Sequence, residues 1–143
     1  MVDMHLEVSI VPVSDADRAK KFYQHLGWRL DDDVAPADGV RIIQLTPPGS
    51  PCSITFGSGI TAASPGSLQG TLVVSDIEAA HDELVSRGIE TSEIFHGAPF
   101  PKAGRLSGPH PERQSYGSFV TITDPDGNEW FVQEVTTRLP GRG

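Results

Sequence analysis

Five histidines, a single cysteine and two closely spaced aspartates are the residues of this 143-residue chain whose chemistry could extend beyond packing. His96 and His110 share the stretch 96–117 with Arg105, Arg113 and Tyr116. Imidazole, guanidinium and phenol together can move a proton or close over a substrate. The two histidines are fourteen apart, which matches no metal-ligand spacing. The stretch therefore reads either as a solvated loop or as a substrate lid. His5 precedes the first strand, and His25 and His81 fall on polar or boundary positions of predicted helices. Cys52 sits in the strand-like run Cys52-Ser53-Ile54-Thr55-Phe56 with no cationic neighbour to activate a thiolate, so it reads as an inert strand residue. Asp124 and Asp126 resemble an acid pair, but Pro125 and Gly127 around them mark a turn. No Gly-x-Gly-x-x-Gly, Walker-type loop, Gly-x-Ser-x-Gly or Cys-x-x-Cys is present.

The elements that must position these groups come from an internal repeat. Val13-Ser14-Asp15 recurs as Val74-Ser75-Asp76, an offset of 61, and Ala19 and Gly27 match Ala80 and Gly88 at the same offset. Each copy opens a helix, with Ser14 or Ser75 as the expected N-cap and Asp17 or Glu78 three residues on, like a capping box. The apolar stripes are Ala16, Ala19, Phe22, Tyr23, Leu26 and Ile77, Ala80, Leu84, Val85. Strands are predicted over 6–13, 28–34, 40–46 and 52–56 in the first half, and over 68–75, 89–95, 118–123 and 128–135 in the second. The turn at Thr46-Pro47-Pro48-Gly49-Ser50 matches Asp124-Pro125-Asp126-Gly127-Asn128 at a wider offset, which leaves a 17-residue insertion in the second half.

The predicted organisation is a single domain of two βαβββ modules, about 5–57 and 68–135. A Gly/Ser/Ala/Pro-rich linker, 58–67, joins them, and the inserted loop covers about 96–117. Two helices for eight strands exclude a doubly wound parallel sheet. The expected fold class is α+β, a curved mixed sheet with helices outside and a concave groove left for a ligand.

Eleven basic against 19 acidic residues give a net charge of −8, which argues against nucleic acid and anionic membrane surfaces as partners. One cysteine permits no internal disulfide and fits a reducing cytoplasm. No basic segment followed by a long apolar run opens the chain, so no signal peptide is expected, and no apolar run reaches membrane-spanning length.

These features resemble the vicinal oxygen chelate superfamily, which includes glyoxalase I, extradiol dioxygenases, fosfomycin-resistance proteins and bleomycin-binding proteins. The resemblance covers about residues 5–135. It is carried by Val13-Ser14-Asp15, Phe22-Tyr23 with Leu26-Gly27-Trp28, Val74-Ser75-Asp76, the helix end at 84–88 and Asp124-Pro125-Asp126-Gly127-Asn128. In the metal-dependent members the resemblance implies His or Glu ligands on the first and last strand of each half. Those positions are occupied here by Val8, Ser53, Gln69 and Phe131, none of them a good ligand for a divalent cation. Glu7 would need a bulge at Pro12 to turn inward, and Glu134 has the opposite parity to Phe131. At the implied register the groove presents Val8, Ile10, Ser53 and Thr55 from one half, and Gln69, Thr71, Phe131 and Gln133 from the other.

An apolar pocket with a few neutral hydrogen-bonding groups is the usual make-up of a small-molecule site. The expected ligand-binding set is therefore Val8, Ser53, Thr55, Gln69, Thr71, Phe131 and Gln133, with His96, Arg105, His110 and Tyr116 from the loop. The expected function is metal-independent binding of an organic small molecule, by sequestration or sensing, with no cofactor. The alternative is a glyoxalase-like lyase, isomerase or dioxygenase using a nonstandard metal or acid–base groups from His96, His110 or Tyr116. Family members and unpaired sheet edges together predict a homodimer.

Overall fold

In the computed structural model, which describes residues 1–142, the elements run β1 (Val8–Ile10), α1 (Ala16–His25), β2 (Arg29–Ala37), β3 (Val40–Thr46), β4 (Ser53–Ser58), β5 (Gln69–Val74), α2 (Ile77–Ser86), β6 (Phe95–Gly97), β7 (Arg105–Ser107), β8 (Phe119–Thr123) and β9 (Glu129–Glu134). A short 3-10 turn, Lys102–Gly104, precedes β7. They form two mixed sheets, ordered β1-β4-β3-β2 and β5-β9-β8-β6-β7, and two compact units. The first unit is Met1–Leu68 with Asp124–Asn128, and the second is Gln69–Thr123 with the chain from Glu129 onward. The fold is α+β: the first unit has the order βαβββ, and the second repeats it with one added strand, β7, from the insertion.

In the first unit, alternation along β3 and β4 sends Ile43, Leu45, Ile54 and Phe56 to one face, all buried. Helix α1 covers that face with Ala16, Ala19 and Tyr23. The Tyr23 ring is fully buried and meets Phe22, Trp28 and Phe56 at centroid distances of 5.0, 5.1 and 5.6 Å. Gly27, with φ +89°, turns the chain out of the helix, as a left-handed residue after a helix end does.

The turn Asp124–Asn128 completes this unit. Asp124 Oδ2 accepts from Tyr23 OH at 2.9 Å and from Asn128 Nδ2 at 2.8 Å. Asn128 Nδ2 also donates to Pro12 O, and Asn128 Oδ1 accepts from Leu68 N–H. The Asp126 carboxylate accepts from the Ser14 N–H and hydroxyl. Gly66, at φ +85°, lies so near Asp126 that an added Cβ would sit 2.3 Å from its carbonyl oxygen, so no other residue fits there.

In the second unit Val120, Val132 and Ile77 form the buried centre, with Leu72, Val74, Ala80, Leu84 and Ile94 packed around it. The β5–β9 pairing is parallel, and Trp130 covers Gly70, where a Cβ would lie 2.4 Å from the indole.

Four expectations need correction. The helix caps are Asp15 and Asp76, one residue later than the serines: Asp15 accepts from Arg18 N–H, and Asp76 from Glu78 and Ala79 N–H. Ser14 is drawn away by Asp126. Of the strand expected over 89–95 only Phe95, the first residue of β6, is in a strand; before it there is a single bridge, Thr91 to Ile122, because Ser92 Oγ takes the Thr121 N–H that a backbone carbonyl would take in a ladder. The first strand shrinks from 6–13 to Val8–Ile10. The insertion is not wholly irregular: β6 and β7 form a hairpin inside it.

Candidate functional site

The most elaborate surface in the second unit lies on the sheet face opposite α2. Register pairs Thr71 with Phe131, Phe131 with Thr121, Gln133 with Phe119, and Phe119 with Phe95, so these side chains share one face. Phe95 and Phe119 are stacked at 5.4 Å, and Phe119 meets Phe131 edge-on at 6.4 Å. The insertion adds two groups. Phe100 stands edge-on to Phe131 at 5.1 Å while remaining 62% exposed. The Arg105 guanidinium carbon lies 4.4 Å from the Phe95 centroid and 5.6 Å from that of Phe131. Such stacking is a cation–π contact, favourable when partly desolvated. Arg105 Nε donates to Pro99 O at 3.0 Å, which fixes the plane of the fork. Phe131 is buried, with Phe119, Phe100 and Arg105 against its ring.

Polar groups rim the aromatic floor. Gln133 Nε2 donates to Tyr116 O at 2.9 Å. Gln69 and Thr71 are exposed on the edge strand β5, and the Gln69 amide donates to Glu129 Oε1.

The remaining loop residues go elsewhere. His96 follows Phe95 in β6 and therefore points to the opposite face, the helix side. Its Nδ1 bonds Gly108 O at 2.8 Å, and its ring meets His110 edge-on at 6.0 Å. His110 Nδ1 accepts from the N–H groups of Glu112 and Gln114, and its own N–H donates to Ser118 Oγ. Tyr116 OH accepts from Leu139 N–H, and its backbone N–H donates to Glu134 O. Of the loop residues singled out from the sequence, Arg105 alone joins Phe131; the two histidines pair with each other behind it.

Glu134, fully buried, is also on the helix side. Its carboxylate accepts from Ile77 N–H at the start of α2 and from two nitrogens of Arg113, which also meets Glu78 and Asp76. Arg113 holds Glu134 below the usual carboxylate range, with help from the Ile77 N–H. Arg113 has φ +51°, so the loop is bent to deliver this contact.

In the first unit, Val8 pairs with Ser53 and Ile10 with Thr55, on the face away from α1. Val8 and Ile10 are exposed. Ser53 Oγ lies 2.6 Å from Thr46 Oγ1, which also donates to Asp31. Hydrogen bonds from Thr46 and then Arg29 hold Asp31 below the usual carboxylate range. Asp31 reaches this face because the β2–β3 register slips between Leu30 and Asp32. That bulge, and the aromatic residues Phe95, Phe100 and Phe119, were not singled out from the sequence. Strand parity around Phe131 and Gln133 was the signal that could have found Phe119.

These donors do not suit the divalent cation of the metal-dependent superfamily members. Val8 and Phe131 offer no donor atom, the Ser53 hydroxyl is engaged by Thr46, and the Gln69 amide nitrogen faces Glu129.

The sequence model of the Glyoxalase/Bleomycin resistance protein/Dioxygenase superfamily matches residues 5–132. Among solved structures, TnmS3, an antibiotic binding protein from Streptomyces sp. CB03234, is 28% identical, covering 94% of this chain and 98% of its own, with a TM-score of 0.69. A glyoxalase/bleomycin resistance protein from the same Streptomyces is 27% identical over 91% of this chain and 100% of its own, with a TM-score of 0.65. A superfamily member from Sphaerobacter thermophilus DSM 20745, at 23% identity, 92% and 98% coverage and a TM-score of 0.67, shares the fold. No curated protein matches.

Proposed function

The chain belongs to the glyoxalase/bleomycin resistance protein/dioxygenase superfamily, and we infer that within it this protein binds an organic small molecule without a metal, by sequestration or sensing. The observation that carries this reading is the aromatic face of the second unit: Phe95, Phe119 and Phe131 in contact, with Phe100 and Arg105 brought over them by the insertion. An aromatic floor with a few placed polar groups is the make-up of a ligand site. Phe100, the exposed ring of the group, supplies stacking surface over the buried Phe131, while Gln133, Gln69 and Thr71 supply neutral hydrogen bonds at its margin. The antibiotic-binding description of TnmS3, with 28% identity over nearly the whole length of both chains, supports a small-molecule ligand. The side chains at the four superfamily ligand positions support metal independence. An acid–base role for His96, His110 or Tyr116 is the weaker reading, because the Nδ1 atoms of both imidazoles are engaged by loop backbone groups and the Tyr116 hydroxyl accepts from Leu139 N–H.

The test is a thermal-shift screen of planar aromatic antibiotics and related small molecules, since a ligand of the native state raises its stability by mass action. A confirmed ligand should bind Phe131→Ala more weakly by roughly 1–3 kcal/mol, from lost burial and stacking. Equal protection of wild type and Phe131→Ala would place the site elsewhere.

A further inference from the structure

We propose that the ligand of this aromatic face is an anionic arene, a planar ring carrying a carboxylate or an ionised phenol, with the negative group bound by Arg105. The proposal rests on the reading of the Phe131 face as the ligand site, and it adds the ligand's charge.

Three observations carry it. First, Arg105 is a half-buried guanidinium with no carboxylate. Arg18, Arg29, Arg41, Arg87 and Arg113 each meet an aspartate or glutamate, whereas among the described residues Arg105 meets only the carbonyl of Pro99 and two aromatic rings. Among the described residues its Nη atoms have no acceptor, and they are not sealed from solvent. Second, the fork is held ready. Phe95 and Phe131 support its plane, and the Nε bond to Pro99 sets its rotation. A guanidinium fixed in this way offers its two Nη groups to a carboxylate or phenolate with little further ordering. Third, the local sequence inverts the charge of the chain. The protein carries 19 acidic residues and a net charge of −8, yet none lies between Glu93 and Glu112, where Lys102 and Arg105 stand. The carboxylate that shares the sheet face, Glu129, is two residues before Phe131 on β9 and faces the Gln69 amide. An arene against Phe100 and Phe131 would thus have a cation at one margin and, at the other, a carboxylate already engaged by the Gln69 amide. A chain of this net charge favours cations at long range, so a preference for an anion would be set by Arg105.

The experiment uses three probes of one shape: 2-naphthoate, 2-naphthamide and 2-naphthylmethylammonium. Each is titrated into 15N-labelled full-length protein, wild type, Arg105→Gln and Arg105→Lys, with the dispersion of the amide spectrum confirming that each variant is folded. The expected result is that naphthoate binds wild type at least tenfold more tightly than the amide and more tightly still than the ammonium, with shifts centred on Phe100, Arg105 and Phe131. In Arg105→Gln the acid and the amide should bind alike. Arg105→Lys should keep a reduced preference for the acid, having the charge without the planar fork. If the amide or the ammonium binds wild type as well as the acid while still shifting Phe131, the charge assignment is overturned and the aromatic site stands. A preference for the acid that survives in Arg105→Gln overturns the role of Arg105. If no probe shifts residues of this face, both the site and the proposal fail.

Discussion

His110 looks like chemistry in the sequence and acts as architecture in the structure. Its Nδ1 accepts two backbone N–H groups, at 3.1 and 3.3 Å, and so closes the turn that delivers Arg113 to Glu134. Asparagine can place an oxygen where that nitrogen stands. His110→Asn should therefore melt in urea within about 0.5 kcal/mol of wild type, and His110→Ala should lose about 1 kcal/mol or more. Equal losses in both would mean that the ring, and its contact with His96, is what the turn needs. Glu134 makes a second prediction. Its carboxyl is held below the ordinary value of 4.5, so the folded state binds the proton less readily than the unfolded chain. The resulting stability is fully present above that ordinary value and is lost as pH falls through the lowered one. Glu134→Gln should cost roughly 1–3 kcal/mol at pH 7, leaving Arg113 with its more exposed partners Glu78 and Asp76. The difference should shrink in denaturation curves taken below pH 4.5. A gap that stays constant with pH would show that packing, not charge, is what Glu134 contributes.

At the level of elements, the hairpin β6–β7 is the part that separates ligand binding from folding. Gly97 pairs with Arg105 across it, and the residues between carry Phe100 and Lys102. Replacing residues 98–104 with Asn-Gly, the preferred two-residue hairpin connection, should leave the Ile77, Val120 and Val132 core untouched. The shortened protein is expected to keep its far-UV circular dichroism and to bind naphthoate at least tenfold more weakly; undiminished binding would exclude Phe100 from the site. Helices and most strands were legible because the stripe Ala16, Ala19, Tyr23 and the alternation in β3 and β4 are local signals. The caps were misplaced by one residue because the serines and the aspartates are both good caps, and only Asp126, distant in sequence, decides between them. The aromatic face was partly legible. Phe131 follows from parity, and Phe119 from its pairing with Gln133 across β8 and β9, but Phe95 and Phe100 join them only through the β6–β7 hairpin and the single Phe95–Phe119 pairing. With 89–95 read as one strand, nothing local distinguished Arg105 from the histidines beside it.

For the molecule as a whole, the edge strand β1 is exposed along its length, and Val8 and Ile10 on it are apolar. An open edge with exposed apolar side chains is a surface that a second copy would cover, and a homodimer is expected. Sedimentation equilibrium should give twice the chain mass, and a monomer at all concentrations would reject this. The first unit makes a sharper prediction, because it includes Asp124–Asn128. A fragment of residues 1–68 would lose the bonds that Tyr23 OH, Pro12 O and Leu68 N–H make to the turn, leaving Pro12 O with the Gly66 N–H, each lost bond costing about 1 kcal/mol or more. Such a fragment should show no cooperative thermal transition; if it melts cooperatively, the turn is dispensable. That turn also bears on how such a protein can change over generations. The two repeats have the look of a duplicated ancestor, yet the earlier copy now depends on five residues encoded near the end of the later one. Recombination that joins the front of one gene to the back of a cousin would succeed only where the incoming turn still recognises Pro12, Ser14 and Tyr23. Duplication made the halves alike, and that shared turn keeps them from being inherited separately.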